Sequence, residues 1–242
     1  MTQTINPYHS HLEPSNTPEN VIKALSIDNL IFGLDHGELK ILLIKHGGGI
    51  SKGHWALPGG WIRYDENLRD AATRHLQELT GVHDLYLEQL KTFGRVDRFP
   101  NERVVTIAYY ALVSAEQYTI VAGTDAADAS WFSVNDLPDL IFDHREILQY
   151  GIEFLQQQVR RRPIGFNLLP EKFTLLQLQE LYEAILGTKL DKPNFRRKIM
   201  KMNLLACCDE KQTGVAHRAA KLYRFDEQAY ELLTEKGFSF EV

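Results

Sequence analysis

The chain has 242 residues, a length that suits one large domain or two smaller ones. It is 44% hydrophobic and 24% charged, which is ordinary for a soluble globular protein, and it contains no run of about 18 apolar residues that would predict a transmembrane helix. Residues 1–7 lack the basic and apolar regions of a secretory signal, and the chain has two cysteines, Cys207 and Cys208. We therefore expect two reduced thiols in a cytoplasmic protein that does not associate with membranes.

Charge is distributed unevenly along the chain, whose formal net charge is −5. Residues 1–160 carry 13 Lys and Arg against 21 Asp and Glu, whereas residues 161–242 carry 14 against 11. Within residues 191–224 there are nine basic side chains and three acidic ones. This distribution favours a polyanion-binding module in the C-terminal part of the chain.

The first part of the chain alternates strand and helix patterns. Residues 1–20 are polar and contain prolines, which favours a flexible arm. A helix is predicted over residues 67–80, because its apolar side chains recur close to the spacing of one helical face. A second helix is predicted over residues 145–160, opened by a capping box between Asp143 and Glu146. Strands or strand-like runs are predicted at 24–34, 39–46, 86–95 and 104–113. A glycine-rich loop at 47–54 precedes a strand carrying residues 55–58, and residues 131–138 are a predicted closing strand and turn.

The basic residues 160–162, followed by Pro163, mark a boundary between two patterns. Beyond it, a capping box between Thr174 and Gln177 opens a helix that ends near Gly187. Asn194 is the predicted N-cap of a basic helix over 195–203, and strands at 204–208 and 220–225 flank a loop. This order predicts a winged helix-turn-helix, whose second helix enters the major groove while the hairpin wing touches phosphates. The alternative is a solvated amphipathic helix with a charged outer face.

The predicted DNA-binding residues lie on the second helix, the turn before it and the wing. They are Lys192, Asn194, Arg196, Arg197, Lys198, Lys201, Arg218 and Lys221.

An incomplete catalytic box occupies residues 60–82. Gly60, Glu66, Arg74, Glu78 and Gly81 have the spacing of the motif G-x5-E-x7-R-E-U-x-E-E-x-G-U, in which U is a bulky apolar residue, and the segment resembles the Nudix box. Where that motif has its first and last helix glutamates, this chain has His75 and Leu79. The alternative is that Arg74 and Glu78 form an ordinary surface ion pair without a catalytic role.

The two substitutions bear directly on metal chemistry. In a working Nudix enzyme the helix gathers carboxylates around Mg²⁺, which prefers oxygen ligands. Leu79 offers no ligand and is expected to make the pocket drier. An imidazole at position 75 is able to act as a general base, a role that contributes roughly 10²–10⁴ in rate, so His75 alone does not decide the question. The loss of both glutamates predicts a protein without catalytic residues, metal or cofactor.

The whole pattern resembles the Nudix-related transcriptional regulators, in which a Nudix-like domain precedes a winged helix. The matching segments are residues 57–60, 74–79, 102–105, 142–144, 173–175 and 194–197. The resemblance implies an α/β (α+β) Nudix fold over residues 21–162, which binds an effector, and a small α+β winged helix-turn-helix over 163–242. It also implies a homodimer that binds double-stranded operator DNA and responds to a small molecule.

The known branches of that family differ in their effector. One branch senses ADP-ribose and regulates NAD metabolism, and the other responds to sugars such as arabinose. Residues 165–170 look closer to the arabinose-type branch, so we expect a small sugar as effector, with ADP-ribose as the alternative. The candidate effector-binding residues flank strand ends near the box, and they are Lys45, Trp55, Trp61, Arg95, Asp97, Arg98 and His144. Two other roles for Arg95 and Arg98 are equally compatible with the sequence. They bind phosphates, which would favour ADP-ribose, or they are surface charges without a role in binding.

Two other functional classes stay open. One is a Nudix hydrolase of ADP-ribose or another nucleoside-diphosphate derivative, with His75 as base and Mg²⁺ held by Glu66, Glu78 and Glu102. The other is a ligand-binding scaffold whose basic tail contacts a protein or RNA partner.

Overall fold

The structure is a computed structural model that describes residues 24–213, 219–238 and 240. Its first part is a mixed seven-stranded sheet with the order β3-β2-β1-β6-β5, in which β4 pairs with β1 and β7 pairs with β2. The central pair β1–β6 is parallel and the other pairs are antiparallel. The strands are β1 (Ala24–Asp35), β2 (Glu38–His46), β3 (Trp55–Ala56), β4 (Gly59–Trp61), β5 (Glu88–Phe93), β6 (Val104–Ser114) and β7 (Ala126–Ser133).

Two helices cover the two faces of this sheet. Alternate residues of a strand face opposite sides, so Ile27 and Ile31 of β1 pack toward α1 (Leu68–Thr80), while Leu30 and Phe32 pack toward α2 (His144–Arg161). Gly151 lets α2 approach β1 closely, because a Cβ at that position would lie 2.3 Å from Leu30 Cδ2. This layered arrangement confirms the predicted Nudix α/β fold.

The second part of the chain is a winged helix. It consists of α3 (Leu175–Leu186), α4 (Lys192–Lys201), a hairpin of β8 (Leu205–Lys211) and β9 (Lys221–Phe225), and α5 (Glu227–Glu235). The capping box at Thr174 is present and α3 ends at Gly187, as predicted. The helix α5 was not predicted. Cys207 and Cys208 are free cysteines in β8.

The start of α4 differs from the prediction. Asp191, not Asn194, is the N-cap residue, and its side chain accepts the N–H of Asn194 at 3.0 Å. The helix therefore begins three residues before Phe195 and ends at Lys201. Pro193 is compatible with this start, since proline is tolerated in the first turn, where N–H groups have no partner within the helix.

One hydrophobic core joins the two parts of the chain. Leu155 and Val159, near the end of α2, belong to the same buried cluster as Phe166, Leu181 and Tyr182. The helix α2 thus contacts the sheet along its length and the winged helix at its end. No helix among the described residues is both long and apolar enough to cross a membrane. The predicted arm over residues 1–20 lies outside the described part of the chain.

Candidate effector site and DNA interface

A cleft of about 230 Å³ lies beside the amino-terminal half of β1. Its walls come from β1, β4, the glycine-rich loop after β2, the loop before β6 and the start of α2. The polar and aromatic side chains that line it include Ser26, Asp28, His46, Trp61, Arg98, Phe99, Phe142 and His144.

Arg98 is the buried cation of this cleft, with 4% of its side chain exposed. Its Nε and Nη2 groups donate to the two carboxylate oxygens of Asp143, each at 2.9 Å. Nη2 also lies 3.4 Å from Asp28 Oδ2. The planar guanidinium is thus fixed in the bidentate geometry that suits carboxylate and phosphate.

The Arg98 contact overturns the predicted capping box of α2. Asp143 stands at the N-cap position, but its side chain makes no capping hydrogen bond, because both oxygens accept from Arg98. The capping pattern predicted the correct position for the residue and the wrong partner.

His144 links the cleft to the segment that precedes the box. Its Nδ1 accepts the N–H of Leu57 at 3.0 Å, so the proton of the neutral ring lies on Nε2. Nε2 is 3.6 Å from Asp28 Oδ1. The imidazole therefore fixes α2 against both β1 and the Leu57 backbone.

Three aromatic rings form the outer wall of the cleft. Phe99 lies between Trp61 and Phe142, with ring centroids 5.9 and 4.7 Å away. Trp61 is 48% exposed and Phe142 is 37% exposed. Phe142 adopts a left-handed backbone conformation with φ 52°, which is sparsely populated for a non-glycine residue and is common at ligand sites. An aromatic wall beside a buried cation suits a ligand with a planar ring and an anionic group.

The remaining box residues form a compact network around Arg74. Its Nε and Nη2 donate to the two oxygens of Glu66 at 2.8 and 2.7 Å, and Nη1 donates to Glu78 at 3.0 Å. The hydrogen bonds from Arg74 lower the pKa of Glu66 from 4.5 to about 2. His75 packs over Gly60, where a Cβ would lie 2.4 Å from its ring, and its Nε2 is 2.9 Å from the Trp61 carbonyl oxygen. Burial lowers the pKa of His75, which favours the neutral imidazole.

This network does not fit a magnesium site. Glu66 is occupied by Arg74, and Glu78 lies between Arg74 and Arg63. Leu79 is buried with Ile44, Ala56 and Ala126 rather than in the cleft, so the expectation that it dries the pocket is wrong. Within the described ranges, the one cluster of three side chains with converging metal-ligand atoms is Asp35, His36 and Glu116, which lies outside the box.

The basic face of α4 is exposed beside the hairpin. Lys192, Arg197, Lys198 and Lys201 are exposed, whereas Arg196 is half-buried. Arg197 is oriented by Asn194, whose Oδ1 accepts from Arg197 Nη2 at 2.7 Å. The opposite face of α4 is anchored by the buried side chains of Phe195 and Ile199. Lys221 is exposed at the start of β9, and Arg218 lies outside the described residues.

The structure brings together only some of the candidate effector-binding residues. Trp61, Arg98 and His144 line the cleft, and Lys45, Trp55, Arg95 and Asp97 do not. Lys45 lies over the Trp55 ring, 5.8 Å from its centroid, and Arg95 forms exposed ion pairs with Asp97 and Glu146. Other polar and aromatic residues of the cleft were not among the predicted effector-binding residues, including Ser26, Asp28, His46, Phe99 and Phe142. Phe99 follows Arg98 and Phe142 precedes Asp143, so adjacency to charged candidates was the available signal.

Comparisons with known proteins match both parts of the chain. Residues 25–151 match the NUDIX domain family, and residues 165–225 match the NrtR DNA-binding winged helix domain. An ADPR responsive transcriptional repressor NtrR from Acinetobacter baylyi is 36% identical over 211 residues, which cover 86% of this chain and 84% of that protein.

Two solved structures extend the comparison. The structure of Shewanella oneidensis NrtR complexed with a 27mer DNA is 30% identical, with a TM-score of 0.70, and the match covers 89% of this chain and 97% of the other. The NUDIX domain of the same protein complexed with ADP ribose is 31% identical, with a TM-score of 0.53, over 59% of this chain and 95% of the other.

Proposed function

The chain belongs to the Nudix-related transcriptional regulators of the NrtR type, and from this premise we propose that it binds operator DNA in response to ADP-ribose. The effector domain spans residues 21–162 and the DNA-binding domain spans 163–242. The observation that carries the proposal is the pairing of an anion-compatible, aromatic-walled cleft with a basic, solvent-exposed helix in one chain.

The choice of ADP-ribose corrects the expectation of a sugar effector. That expectation rested on residues 165–170, and the relatives do not support it: one is named for its response to ADPR, and another was crystallised with ADP ribose. The cleft is chemically compatible with such a ligand. Arg98 offers a guanidinium for a diphosphate, and the rings of Trp61, Phe99 and Phe142 offer flat surfaces for a base.

The DNA partner follows from the winged helix. Four exposed cations on α4 provide phosphate and base contacts, and Asn194 orients one of them, Arg197, by accepting a hydrogen bond from its guanidinium. A related NrtR was crystallised with a 27mer DNA, which supports the same class of partner here. We further propose a homodimer, because pseudo-palindromic operators mirror the symmetry of the proteins that bind them.

The proposed regulator binds ADP-ribose without hydrolysing it at an efficient rate. Mg²⁺ requires several converging oxygen ligands, and here Glu66 and Glu78 are engaged by arginines while Leu79 is buried in an apolar cluster. A sensor also benefits from leaving its signal intact, since a ligand shifts an equilibrium only while it is bound.

The proposal is tested by fluorescence anisotropy on a labelled duplex from the region upstream of the protein's own gene. The titration is made at near-physiological salt against a scrambled duplex, and it is repeated with ADP-ribose and with L-arabinose as the control ligand. We expect preference for the upstream duplex and a change of affinity with ADP-ribose alone. Equal affinity for both duplexes, with and without ADP-ribose, would contradict the proposal.

Hydrolysis is measured separately by incubating the full chain with ADP-ribose and Mg²⁺ and following AMP by chromatography. We expect no turnover above the rate without protein. Turnover that disappears in Glu78→Gln would establish the hydrolase alternative.

A further inference from the structure

We propose that the buried ion pair between Arg98 and Asp143 is the switch through which cleft occupancy acts on α2 and, through α2, on the winged helix. This inference rests on the proposed function, because it assigns a role to residues of the same cleft. It makes Arg98 a ligand-binding residue and Asp143 a positioning residue.

The pair joins two segments that are far apart in sequence. Arg98 belongs to the loop between β5 and β6, and Asp143 is the N-cap residue of α2. Both side chains are almost completely buried, with 4% and 3% exposed. The residues next to the ion pair are also in contact, since the ring centroids of Phe99 and Phe142 lie 4.7 Å apart. The loop and the helix terminus are thus connected by a charged and an aromatic contact.

The ion pair leaves the first turn of α2 without a side-chain cap. An N-cap Asp ordinarily accepts the N–H of the second or third helical residue, here Arg145 or Glu146. The first backbone hydrogen bond within the helix runs from the Ile147 N–H to the Asp143 carbonyl, so those two amides precede it. Asp143 therefore has two possible partners, the Arg98 guanidinium and the helix amides, and in this structure Arg98 has both oxygens. Capping the amides would also require the ψ angle of Asp143 to rotate from 14° to the extended region that N-cap residues adopt.

An anionic ligand in the cleft changes this competition. The diphosphate of ADP-ribose competes for the Arg98 guanidinium with Asp143 and with Asp28, whose Oδ2 lies 3.4 Å from Nη2. When the diphosphate takes the bidentate contact, Asp143 is free to cap α2. Phe142, in its left-handed conformation, directly precedes Asp143 and lines the cleft, so a change at the cap also moves the aromatic wall. The ligand thereby stabilises one of two arrangements of the α2 terminus, which is the requirement for a population shift.

The far end of α2 transmits this change to the DNA-binding part. The helix has 18 residues and spans about 27 Å. Leu155 and Val159 pack in the cluster that contains Leu181 and Tyr182 of α3. A shift of α2 therefore displaces α3, because the side chains of a close-packed core transmit strain from one element to the next.

The test compares Asp143→Asn with Glu146→Gln. An asparagine in place of Asp143 removes one of the two carboxylates beside Arg98, leaving Asp28, and is still a good N-cap, so the switch is biased toward the ligand-bound arrangement. Glu146 is the matched control, because it joins the same helix turn to the same loop through an exposed ion pair with Arg95 at 2.7 Å. ADP-ribose affinity is measured by calorimetry, and DNA affinity by anisotropy with and without ADP-ribose.

In Asp143→Asn we expect tighter ADP-ribose binding and ligand-free DNA affinity shifted toward that of the ligand-bound wild type. The factor by which ADP-ribose changes DNA affinity should fall to less than about one third of the wild-type factor. The gain in ADP-ribose affinity and the change in ligand-free DNA affinity both reflect the same coupling free energy between the two sites. Glu146→Gln should keep the wild-type factor. An unchanged factor in Asp143→Asn, with the wild type responding normally, overturns the switch and leaves the proposed function intact. Absence of ADP-ribose binding by the wild type overturns both.

A measurement on the wild type keeps the inference testable if Asp143→Asn does not fold. Hydrogen exchange of the Arg145 and Glu146 amides should slow at saturating ADP-ribose, because the freed carboxylate accepts one of them. Unchanged exchange at both amides, with ADP-ribose bound, overturns the switch.

Discussion

The substitution Arg197→Ala tests the DNA interface most directly. Arg197 is exposed on α4, and its guanidinium is held by Asn194 at 2.7 Å, so the side chain is oriented before DNA arrives. Replacing an exposed residue of this kind changes stability by no more than about 0.5 kcal/mol. The variant should therefore fold normally and bind the operator less tightly.

The magnitude follows from the number of exposed cations on α4. If Lys192, Arg197, Lys198 and Lys201 each neutralise one phosphate, the slope of log K against log salt is about −3.6 per copy. Raising the salt from about 50 to 200 mM then weakens binding by about 150-fold per copy. With Arg197 removed the slope is about −2.7, and the same change of salt costs about 40-fold.

The assay is anisotropy on the operator duplex at four salt concentrations for wild type, Arg197→Ala and Arg69→Ala. Arg69 is an exposed arginine on α1 that lies over the Tyr86 ring, so it controls for the loss of one positive charge. A lower affinity with an unchanged slope would mean that Arg197 contacts a base edge rather than a phosphate. Affinity and slope equal to those of Arg69→Ala would remove Arg197 from the interface.

Three further predictions concern the box and the cleft. Leu79→Ala should lower the free energy of unfolding in urea by about 2–5 kcal/mol, whereas Leu68→Ala, at a 39% exposed position, should change it far less; equal losses would contradict the buried placement of Leu79. Glu66 has a lowered pKa, so its pairing with Arg74 stabilises the fold above pH 4.5 and is lost as the pH falls to about 2. The difference in unfolding free energy between wild type and Glu66→Gln should therefore shrink over that interval, and a constant difference would refute the ion pair as its cause. Trp61→Ala should weaken ADP-ribose binding, measured by calorimetry, by roughly 5- to 150-fold if the ring stacks on a base; unchanged affinity would exclude Trp61 from the site.

The main elements of the fold were predictable because local patterns and packing agree. Apolar spacing placed α1 correctly, and the structure buries its Ala71, Ala72 and Leu76 against the sheet. The Gly59–Gly60 pair also has a packing reason, since a Cβ at Gly59 would lie 2.1 Å from the Ile27 carbonyl oxygen. The fold supplies that reason, because Gly59 meets Ile27 through the pairing of β4 with β1.

The two errors about helix caps arose where several groups of similar chemistry compete for one role. Asp191 and Asn194 are both good N-caps, and the choice between them depended on Pro193, which fits the first turn. Asp143 matched a local capping pattern, but its partner Arg98 lies 45 residues away and was paired with it only by the fold. A single sequence does not show which distant residue will contact Asp143 in the folded protein.

The retained and the altered residues of the box can be explained together as a support for the cleft wall. Glu66 and Arg74 keep the loop after β4 against α1 through a bidentate ion pair. His75 occupies the space above Gly60 and contacts the carbonyl of Trp61, whose ring belongs to the cleft wall. A glutamate carboxylate has no proton to donate to that carbonyl oxygen, whereas an imidazole N–H is able to donate one. Leu79 completes an apolar cluster with Ile44 and Ala56, which links the box helix to β2 and β3. The two altered positions of the box thus have structural contacts of their own: His75 lies against the Trp61 carbonyl, and Leu79 packs the box helix against β2 and β3.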